Sequence, residues 1–222
     1  MPKYAHHTLG SSGVAIWQIT ESADELYALL ATDKYDNQLA EKHHETRRAE
    51  WLAVRVLVKK LFGAESEVAY HPTGRPFLKG SDMGISISHT KGFAAIAYHH
   101  GAVGMDIEYI SPRVECIADR FTSAEEAAYI DAHAGNERQM FHLINWSAKE
   151  TLYKLMGSSS MADFKEVFHI FSYRLAESGE LDAVIHAGTE VHRQGVGYRL
   201  FPEFVCTWAF ENLSDSLSMP CI

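Results

Sequence analysis

Two carboxylates separated by one residue are the first candidates for chemistry in this chain. Asp106 and Glu108 fall in the alternating segment Val103–Glu108, a pattern typical of a β-strand. Alternate residues of a strand point to one face, so we expect both carboxylates to aim the same way, away from Met105 and Ile107. Such charges repel unless one is protonated or a cation lies between them, and a hard ion such as Mg²⁺ suits them. The alternative is an edge strand with a solvated acidic outer face.

A second candidate is the segment Trp146-Ser-Ala-Lys-Glu-Thr-Leu-Tyr-Lys154. On a helix, Glu150 and Lys154 are four residues apart and share a face, whereas Lys149 points elsewhere. Glu150 could be a third carboxylate for a metal, and Lys154 could hold a phosphate or relay a proton. The alternative is a surface ion pair that stabilises the helix by about 0.2–0.5 kcal/mol.

Two shorter segments could hold phosphates. Ser88-His89-Thr90 ends a strand that alternates from Ile85, and its hydroxyls and imidazole could cradle a phosphate. Arg75, between Gly74 and Pro76, could bind a phosphate through two parallel hydrogen bonds from its guanidinium. The alternatives are a turn whose side chains bond their own backbone and an exposed turn arginine.

The elements that must position these residues follow from apolar periodicity and turn residues. We expect helices at 22–31, 37–62 and 137–156, with stops at Gly63 and Gly157, and another helix opening at Thr122, where Thr122 and Glu125 have capping-box spacing. We expect strands at 14–19, 68–70, 85–89, 93–98, 103–108, 167–175, 182–186, 197–201 and 204–210.

The 222 residues, of which 46 % are hydrophobic and 22 % charged, fit one large or two small globular domains. Each half has a helix followed by strands, so we divide the chain into an N-terminal α+β half, 1–110, and a C-terminal α+β half, 111–222.

The net charge of −9 argues against a general nucleic-acid binder. Basic residues nevertheless cluster between 41 and 60, where they could hold phosphates or an acidic partner, or simply form a solvated helix face. They are Lys42, Arg47, Arg48, Arg55, Lys59 and Lys60.

The cellular location is predicted from the absence of membrane-spanning and secretion patterns and from the cysteines. No run of about 18 apolar residues is present, and the N-terminus does not have the pattern of a secretory signal. Cys116, Cys206 and Cys221 are widely spread and odd in number, which indicates neither a disulfide framework nor a zinc cluster. We therefore expect a cytoplasmic protein with no membrane association.

The ordered set of motifs resembles the phosphopantetheinyl transferases, specifically the monomeric, double-length class that includes the surfactin-synthetase activator. The set runs G-R-P, I-S-I-S-H-T, V-G-M-D-I-E, R-F-T-x-x-E and W-S-x-K-E-x-x-x-K, from Gly74 to Gly157. The helical segment Arg48–Arg55 is also similar. The first 36 and last 60 residues add little that is diagnostic.

The resemblance implies an α+β fold of two similar halves related by a pseudo-twofold, with coenzyme A in the cleft between them. It implies Mg²⁺ ligation by Asp106, Glu108 and Glu150, and places Lys154 near the reacting phosphate. It also implies phosphate contacts from Ser88, His89 and Arg75, although the family position of Arg75 is often lysine. It further implies that either Arg48 or Arg55 contacts the nucleotide. Glu125 matches the glutamate of the R-F-T-x-x-E motif, with a capping role equally open.

The implied reaction moves the phosphopantetheine arm of coenzyme A onto a serine of an acyl carrier protein and releases adenosine 3′,5′-bisphosphate. Charge then accumulates on pyrophosphate oxygens, which Mg²⁺ and Lys154 neutralise. Glu150 is our candidate acceptor of the serine proton, directly or through a metal-bound water. The rival hypotheses are a Mg²⁺-dependent phosphohydrolase or nuclease, and a non-catalytic module that binds coenzyme A or a carrier.

Overall fold

The computed structural model describes residues 4–157 and 163–211. They form two compact units, divided between His100 and Gly101, and each unit contains one antiparallel sheet with helices. The predicted α+β class is confirmed. The strand Val103–Tyr109, which the sequence-based division assigns to the first half, pairs with the last strand of the second sheet.

The first unit has a six-stranded sheet. Its strands are β1 (Tyr4–Leu9), β2 (Ser12–Gln18), β3 (Val68–Tyr70), β4 (Pro76–Leu78), β5 (Gly84–Thr90) and β6 (Phe93–His99), in the order β1-β2-β6-β5-β4-β3. Three helices complete it: α1 (Ala23–Leu30), α2 (Asp36–Ala40) and α3 (Glu45–Phe62). Helix α3 packs on β2 and β6, so that Trp17, Leu52 and Ile96 share one buried core.

The long helix predicted at 37–62 is wrong in one respect, because it is interrupted. Helix α2 ends at Ala40, and His44, at φ −101° and ψ 126°, is extended. Helix α3 then begins at Glu45, whose Oε1 accepts a hydrogen bond of 2.9 Å from the backbone N–H of Ala23. This contact joins the first residue of α3 to the first residue of α1, and periodicity does not reveal it.

The second unit has a five-stranded sheet in the order β7-β11-β10-β9-β8. Its strands are β7 (Val103–Tyr109), β8 (Phe168–Ile170), β9 (Ser178–Ala187), β10 (Glu190–Leu200) and β11 (Phe204–Phe210). A 3-10 helix (Pro112–Ile117) precedes helices α4 (Ala118–Phe121), α5 (Ala124–Asp131), α6 (Gly135–Met156) and α7 (Phe164–Val167). Helix α6 lies across β7 and β11. It ends at Gly157, which is left-handed at φ 62°, as predicted.

Two local predictions in this unit are wrong. The capping box of α5 uses Ser123 and Glu126, one residue beyond the predicted Thr122 and Glu125. Both pairs have the required spacing, but Thr122 closes α4 and leaves Ser123 as the first capping position. In the predicted strand 167–175 only Phe168–Ile170 pairs with β9, and helix α7 occupies the preceding four residues.

Two further observations concern the chemical setting. No helix in the described part of the chain has the length and apolar character needed to cross a bilayer. Cys116 is exposed and Cys206 is buried, and both are free thiols. Cys221 lies outside the described residues.

Candidate active site

Strand β7 is an edge strand, yet both of its faces are buried around Asp106. Met105 and Ile107 pack into the core on one face, as predicted. On the other face Asp106 is only 5 % exposed, because helix α6 covers it. The alternative of a wet acidic outer face at Asp106 is therefore wrong, and a buried carboxylate requires partners.

Helix α6 can cover Asp106 because Gly104 lets it approach the strand. A β-carbon built on Gly104 would lie 2.0 Å from the carbonyl oxygen of Thr151 and 2.7 Å from the backbone nitrogen of Leu155. The helix backbone thus rests directly on the strand, at a distance that excludes any side chain. This contact brings Ser147, Glu150 and Lys154 to β7.

Asp106 is held from both sides by residues of α6. Lys154 Nζ donates to Asp106 Oδ1 at 2.8 Å, and Ser147 Oγ donates to Asp106 Oδ2 at 2.9 Å. Lys154 therefore makes its ion pair with Asp106, across to the strand. The alternative of a Glu150–Lys154 pair on an exposed helix surface is wrong, since α6 turns this face toward the sheet.

The three carboxylates interact electrostatically. Burial, reinforced by the charges of Asp106 and Glu150, raises the pKa of Glu108 to about 7, against a hydrogen bond from Trp146 and the charge of Lys154. Burial also raises the pKa of Glu150, an effect that Lys154 opposes and Asp106 reinforces. We refer to Asp106, Glu108, Glu150 and Lys154 as the acidic group. It holds more negative than positive charge.

The acidic group fits a hard divalent cation by its chemistry. Three carboxylates are the oxygen ligands that Mg²⁺ prefers, and their raised pKa values reflect a repulsion that a cation would relieve. Within residues 4–157 and 163–211, no three His, Cys, Asp or Glu side chains converge as closely as an ion's ligands do. Asp106 instead turns its two oxygens toward Lys154 and Ser147.

A second polar site lies in the first unit, in a cleft of about 360 Å³ beside the N-terminal half of α3. Its charged lining is mostly basic, since Glu50 is the one carboxylate that the described residues place there. Glu50 Oε2 lies 3.4 Å from Arg47 Nη1 and 3.4 Å from His89 Nδ1. We call this the basic cleft; it is lined by Lys42, Arg47, Glu50, Trp51, Val54, Arg55, Tyr70, Gly74, Pro76, Ile87 and His89.

Arg55 is the most buried cation of the basic cleft, at 2 % exposure. Its guanidinium carbon lies 3.5 Å from the centroid of the Trp51 ring, and its nitrogens donate to the Trp51 carbonyl and the Tyr70 hydroxyl. Burial lowers the pKa of Arg55. The described part of the chain supplies Arg55 with no carboxylate partner, which favours binding of an external anion.

The other residues predicted for phosphate binding are placed differently. Among the described residues, the lining of the basic cleft includes Arg55 and His89 but not Arg48, Arg75 or Ser88. Arg75 is half-buried between Gly74 and Pro76, which do line it, and Ser88 is buried on β5. The sequence analysis did not assign Glu50 or Trp51 to the site, although the three-residue spacing of Arg47 and Glu50 marks them as neighbours on a helix.

Comparison with known proteins decides the family. Residues 102–206 match the model of the 4′-phosphopantetheinyl transferase superfamily. The 4′-phosphopantetheinyl transferase AcpT of Salmonella typhimurium is 31 % identical over 129 residues, which cover 56 % of this chain and 67 % of that protein. This chain belongs to the 4′-phosphopantetheinyl transferase superfamily. A 4′-phosphopantetheinyl transferase of Bacillus subtilis is also similar, at 26 % identity over 154 residues covering 68 % of this chain and 66 % of that protein.

Family membership confirms that the chain is an enzyme of the phosphopantetheinyl transferase type. The matched residues 102–206 contain the acidic group and the whole of helix α6. The comparisons do not support the phosphohydrolase and binding-module hypotheses, since the relatives carry the name of the transferase.

The structure of the transferase also explains the lysine that precedes Glu150. Lys149 points away from Glu150, as predicted, and is fully buried, where Nζ donates to Glu126 Oε2 at 2.7 Å. Its two other donations go to the carbonyls of Phe121 and Phe164. Glu126 Oε1 accepts from the backbone N–H of Ile170 at 2.8 Å. The pair thus ties α5, α6 and β8 together behind the acidic group, whereas Glu125 is exposed.

Proposed function

We propose that this transferase moves the 4′-phosphopantetheine arm of coenzyme A onto a serine of an apo carrier protein, with Mg²⁺ held by Asp106, Glu108 and Glu150. Family membership supports the reaction type. The observation that carries the assignment of residues is the assembly of three carboxylates from β7 and α6 around Lys154. Such an assembly is costly to bury and suits a phosphoryl-transfer site.

The reaction exchanges one bond to phosphorus for another. The serine oxygen of the carrier attacks the β-phosphorus of the coenzyme A pyrophosphate, and the bond from that phosphorus to the bridging oxygen breaks. Adenosine 3′,5′-bisphosphate leaves with the bridging electron pair, and the serine loses its proton. Catalysis therefore requires positioning, charge neutralisation and a proton acceptor.

The residues of the acidic group divide these tasks. Glu150 accepts the serine proton, because burial raises its pKa and so makes the ionised carboxylate a stronger base. Lys154 places a positive charge beside the carboxylates and the negative pyrophosphate. Bound Mg²⁺ supplies further positive charge to the pyrophosphate oxygens.

The intact mass of an apo acyl carrier protein tests the reaction. After incubation with the transferase, coenzyme A and Mg²⁺, we expect one added phosphopantetheine, and no addition in EDTA. Glu150→Gln should slow the transfer about 10²–10⁴-fold, as expected for loss of a general base. If Glu150→Gln transfers at the full rate while still binding Mg²⁺, the proton acceptor is another group. No mass change with several apo carriers would contradict the reaction itself.

We also propose that the basic cleft of the first unit binds the anionic nucleotide end of coenzyme A. Arg55, His89, Lys42 and Arg47 supply positive charge there, and Trp51 orients the Arg55 guanidinium. A buried guanidinium with free donors, including Nε, gains strongly from a phosphate. Ser88 and Arg75 remain proposed phosphate contacts on the family resemblance.

Calorimetric titration with adenosine 3′,5′-bisphosphate tests this cleft and separates Arg55 from Arg48. Arg55→Lys removes the planar fork, so we expect affinity to fall about tenfold, the loss of one charge-assisted hydrogen bond. Arg48→Lys is the matched comparison on the same helix and should bind nearly as the parent does. The reverse order of the two effects would assign the nucleotide contact to Arg48.

We further propose that the transferase works as a monomer in the cytoplasm. Each unit has its own sheet and core within one chain, and the two described thiols are free. Analytical ultracentrifugation that showed a stable dimer at working concentration would contradict the monomer.

A further inference from the structure

Three hydroxyl side chains form a buried chain that ends on Asp106. Ser147, Thr151 and Thr207 are all completely buried. Thr151 Oγ1 lies 2.7 Å from Thr207 Oγ1, and Thr207 Oγ1 lies 2.9 Å from Ser147 Oγ. Ser147 Oγ donates to Asp106 Oδ2 at 2.9 Å. The family assignment of the acidic group does not include any of these hydroxyls.

Strand pairing and helix spacing build this hydroxyl chain. Thr207 of β11 is the direct cross-strand partner of Asp106 on β7, so both side chains emerge on the same face of the sheet. Ser147 and Thr151 are four residues apart on α6 and share the helix face that meets this pair. Polar side chains from three elements therefore converge at one point, although the interface between a helix and a sheet is ordinarily apolar.

The direction of the hydrogen bonds follows from Asp106. Asp106 accepts from Lys154 at Oδ1 and from Ser147 at Oδ2, so the one proton of Ser147 points to the carboxylate. Ser147 Oγ can then accept a hydrogen bond from the Thr207 hydroxyl. The Thr207 hydroxyl also donates to the Ser147 carbonyl oxygen at 2.9 Å, so its one proton is shared between two acceptors. Thr151 in turn donates to Thr207. The hydroxyl dipoles thus point from Thr151 toward the carboxylate, and each bond polarises the next.

We propose that Ser147 and Thr207 are positioning residues for Asp106, which fix the orientation in which its carboxylate is offered to Mg²⁺ at the proposed site. An aspartate carboxylate rotates broadly about its last torsion unless hydrogen bonds hold it. Lys154 holds Oδ1 and Ser147 holds Oδ2, while Thr207 orients Ser147. This inference rests on the proposed function. Hydrogen-bond partners behind metal ligands typically affect metal affinity about 10–100-fold.

The competing explanation is that the hydroxyls only hold α6 to β11. In that case, their loss lowers the stability of the fold but leaves the Mg²⁺ affinity of the folded protein unchanged. The two explanations are separated by measuring binding and stability on the same variants.

Thr207→Val and Thr207→Ser form the test pair. Valine keeps the shape and removes the hydroxyl, whereas serine keeps the hydroxyl and removes the methyl group. By calorimetric titration of the full chain with Mg²⁺, we expect Thr207→Val to bind about tenfold more weakly and Thr207→Ser to bind close to the parent. We expect the same ranking in the Mg²⁺ concentration that gives half-maximal transfer, with the KM for coenzyme A unchanged.

Thr122→Val is the matched control. Thr122 is also buried in the second unit, and among the described residues its hydroxyl has no hydrogen-bond partner. The same chemical change there should leave Mg²⁺ affinity as in the parent. If Thr207→Val is poorly folded by circular dichroism, Ser147→Ala replaces it, since it removes the last donor of the chain.

The outcomes separate this inference from the function on which it rests. A folded Thr207→Val or Ser147→Ala that binds Mg²⁺ as tightly as the parent overturns the positioning role, even if its thermal stability falls. Weak binding by Thr207→Ser together with tight binding by Thr207→Val also overturns it, because packing of the methyl group would then be responsible. A parent chain that transfers nothing and binds no Mg²⁺ overturns the proposed function itself.

Discussion

At the scale of single residues, the acidic group is defined by an imbalance of charge. Asp106 has Lys154 and Ser147 as direct partners, while Glu108 receives one hydrogen bond, from Trp146. Burial and the charges of Asp106 and Glu150 raise the pKa of Glu108 to about 7. The folded protein without a cation holds a proton on Glu108 near neutral pH, and this proton must leave before the carboxylate can bind a metal.

The pKa of Glu108 predicts how the stability of the metal-free protein depends on pH. The folded-state pKa, about 7, lies above the ordinary glutamate pKa of 4.5, so the folded chain binds more protons between these values. The proton on Glu108 therefore stabilises the folded state relative to the unfolded chain. This stabilisation is fully present below about pH 4.5 and is lost as the pH rises through about 7. Urea unfolding in EDTA at several pH values should show the loss in the parent, and Glu108→Gln should reduce it.

Because other groups titrate in both proteins, the quantity to compare at each pH is the difference in the free energy of unfolding between the parent and Glu108→Gln. Parallel stability curves for the parent and Glu108→Gln would contradict the raised pKa. Saturating Mg²⁺ should reduce the difference between low and neutral pH in the parent, since ligation competes with the proton.

At the scale of elements, the contact between α6 and β7 controls the site. Ser147, Glu150 and Lys154 recur at three- and four-residue intervals on α6, so they share one helix face, and Trp146 lies four residues before Glu150. The register of β7 with β11 adds Thr207 beside Asp106. Lys149, on another face, is fixed by Glu126 and by two backbone carbonyls. Helix α6 is thus anchored on both sides, which limits how far its residues can shift from β7.

Gly104→Ala tests this contact between the elements. The new β-carbon would meet helix backbone, which cannot rotate away as a side chain could. We expect a loss of stability of about 3 kcal/mol or more, the upper end of the cost of overpacking, together with weaker Mg²⁺ binding. Thermal and urea unfolding measure the first effect, and calorimetry measures the second.

Gly195→Ala is the control for this substitution. A β-carbon at Gly195 would meet the carboxylate end of Glu180, a flexible side chain on the neighbouring strand β9. We expect a loss below about 1 kcal/mol there. Equal losses at Gly104 and Gly195 would show that the helix–strand contact is less restrictive than the distances indicate.

At the scale of the whole molecule, charge is unevenly distributed. The chain carries a net charge of −9, yet the first unit has a basic cleft beside α3. The basic residues of the segment 41–60 serve different contacts. Lys42, Arg47 and Arg55 line the cleft, whereas Lys59 Nζ donates to the carbonyls of Leu29 and Leu30 at the end of α1. In the N-terminal part of this segment, the positive charge available to a partner therefore comes from Lys42 and Arg47, since Arg55 is buried.

On the proposed function, an acidic carrier protein would be attracted to this surface, and salt should weaken the attraction. We expect the KM for the carrier to rise several-fold between low and high NaCl, because exposed charges are screened beyond about 10 Å at 0.1 M salt. With coenzyme A saturating, so that the proposed nucleotide contact of Arg47 does not limit the rate, the variant Arg47→Gln should show a smaller rise. A KM that stays constant with salt would contradict charge-led docking, while leaving the transfer reaction itself unaffected.

Local sequence patterns predicted much of the fold. Alternation located β5 and β7, a mostly apolar segment located β6, and the glycine stops at Gly63 and Gly157 located the ends of α3 and α6. These signals succeed because each depends on residues close together in the chain. The break between α2 and α3 was missed; it coincides with a contact between Glu45 and Ala23, 22 positions apart, that no local pattern shows. The register of the α5 cap was missed because two pairs had equal spacing.

The sequence by itself determined the class of chemistry, because the types and order of Asp106, Glu108, Glu150 and Lys154 are properties of the chain. Only the tertiary structure decided which groups are partners. It paired Lys154 with Asp106, buried Asp106 under α6 and placed Thr207 beside it. Each of these contacts joins residues more than forty positions apart, as the Lys154–Asp106 separation of 48 illustrates. Local patterns cannot encode such pairs, since strand register and the close approach at Gly104 arise only when the sheet and helix have packed.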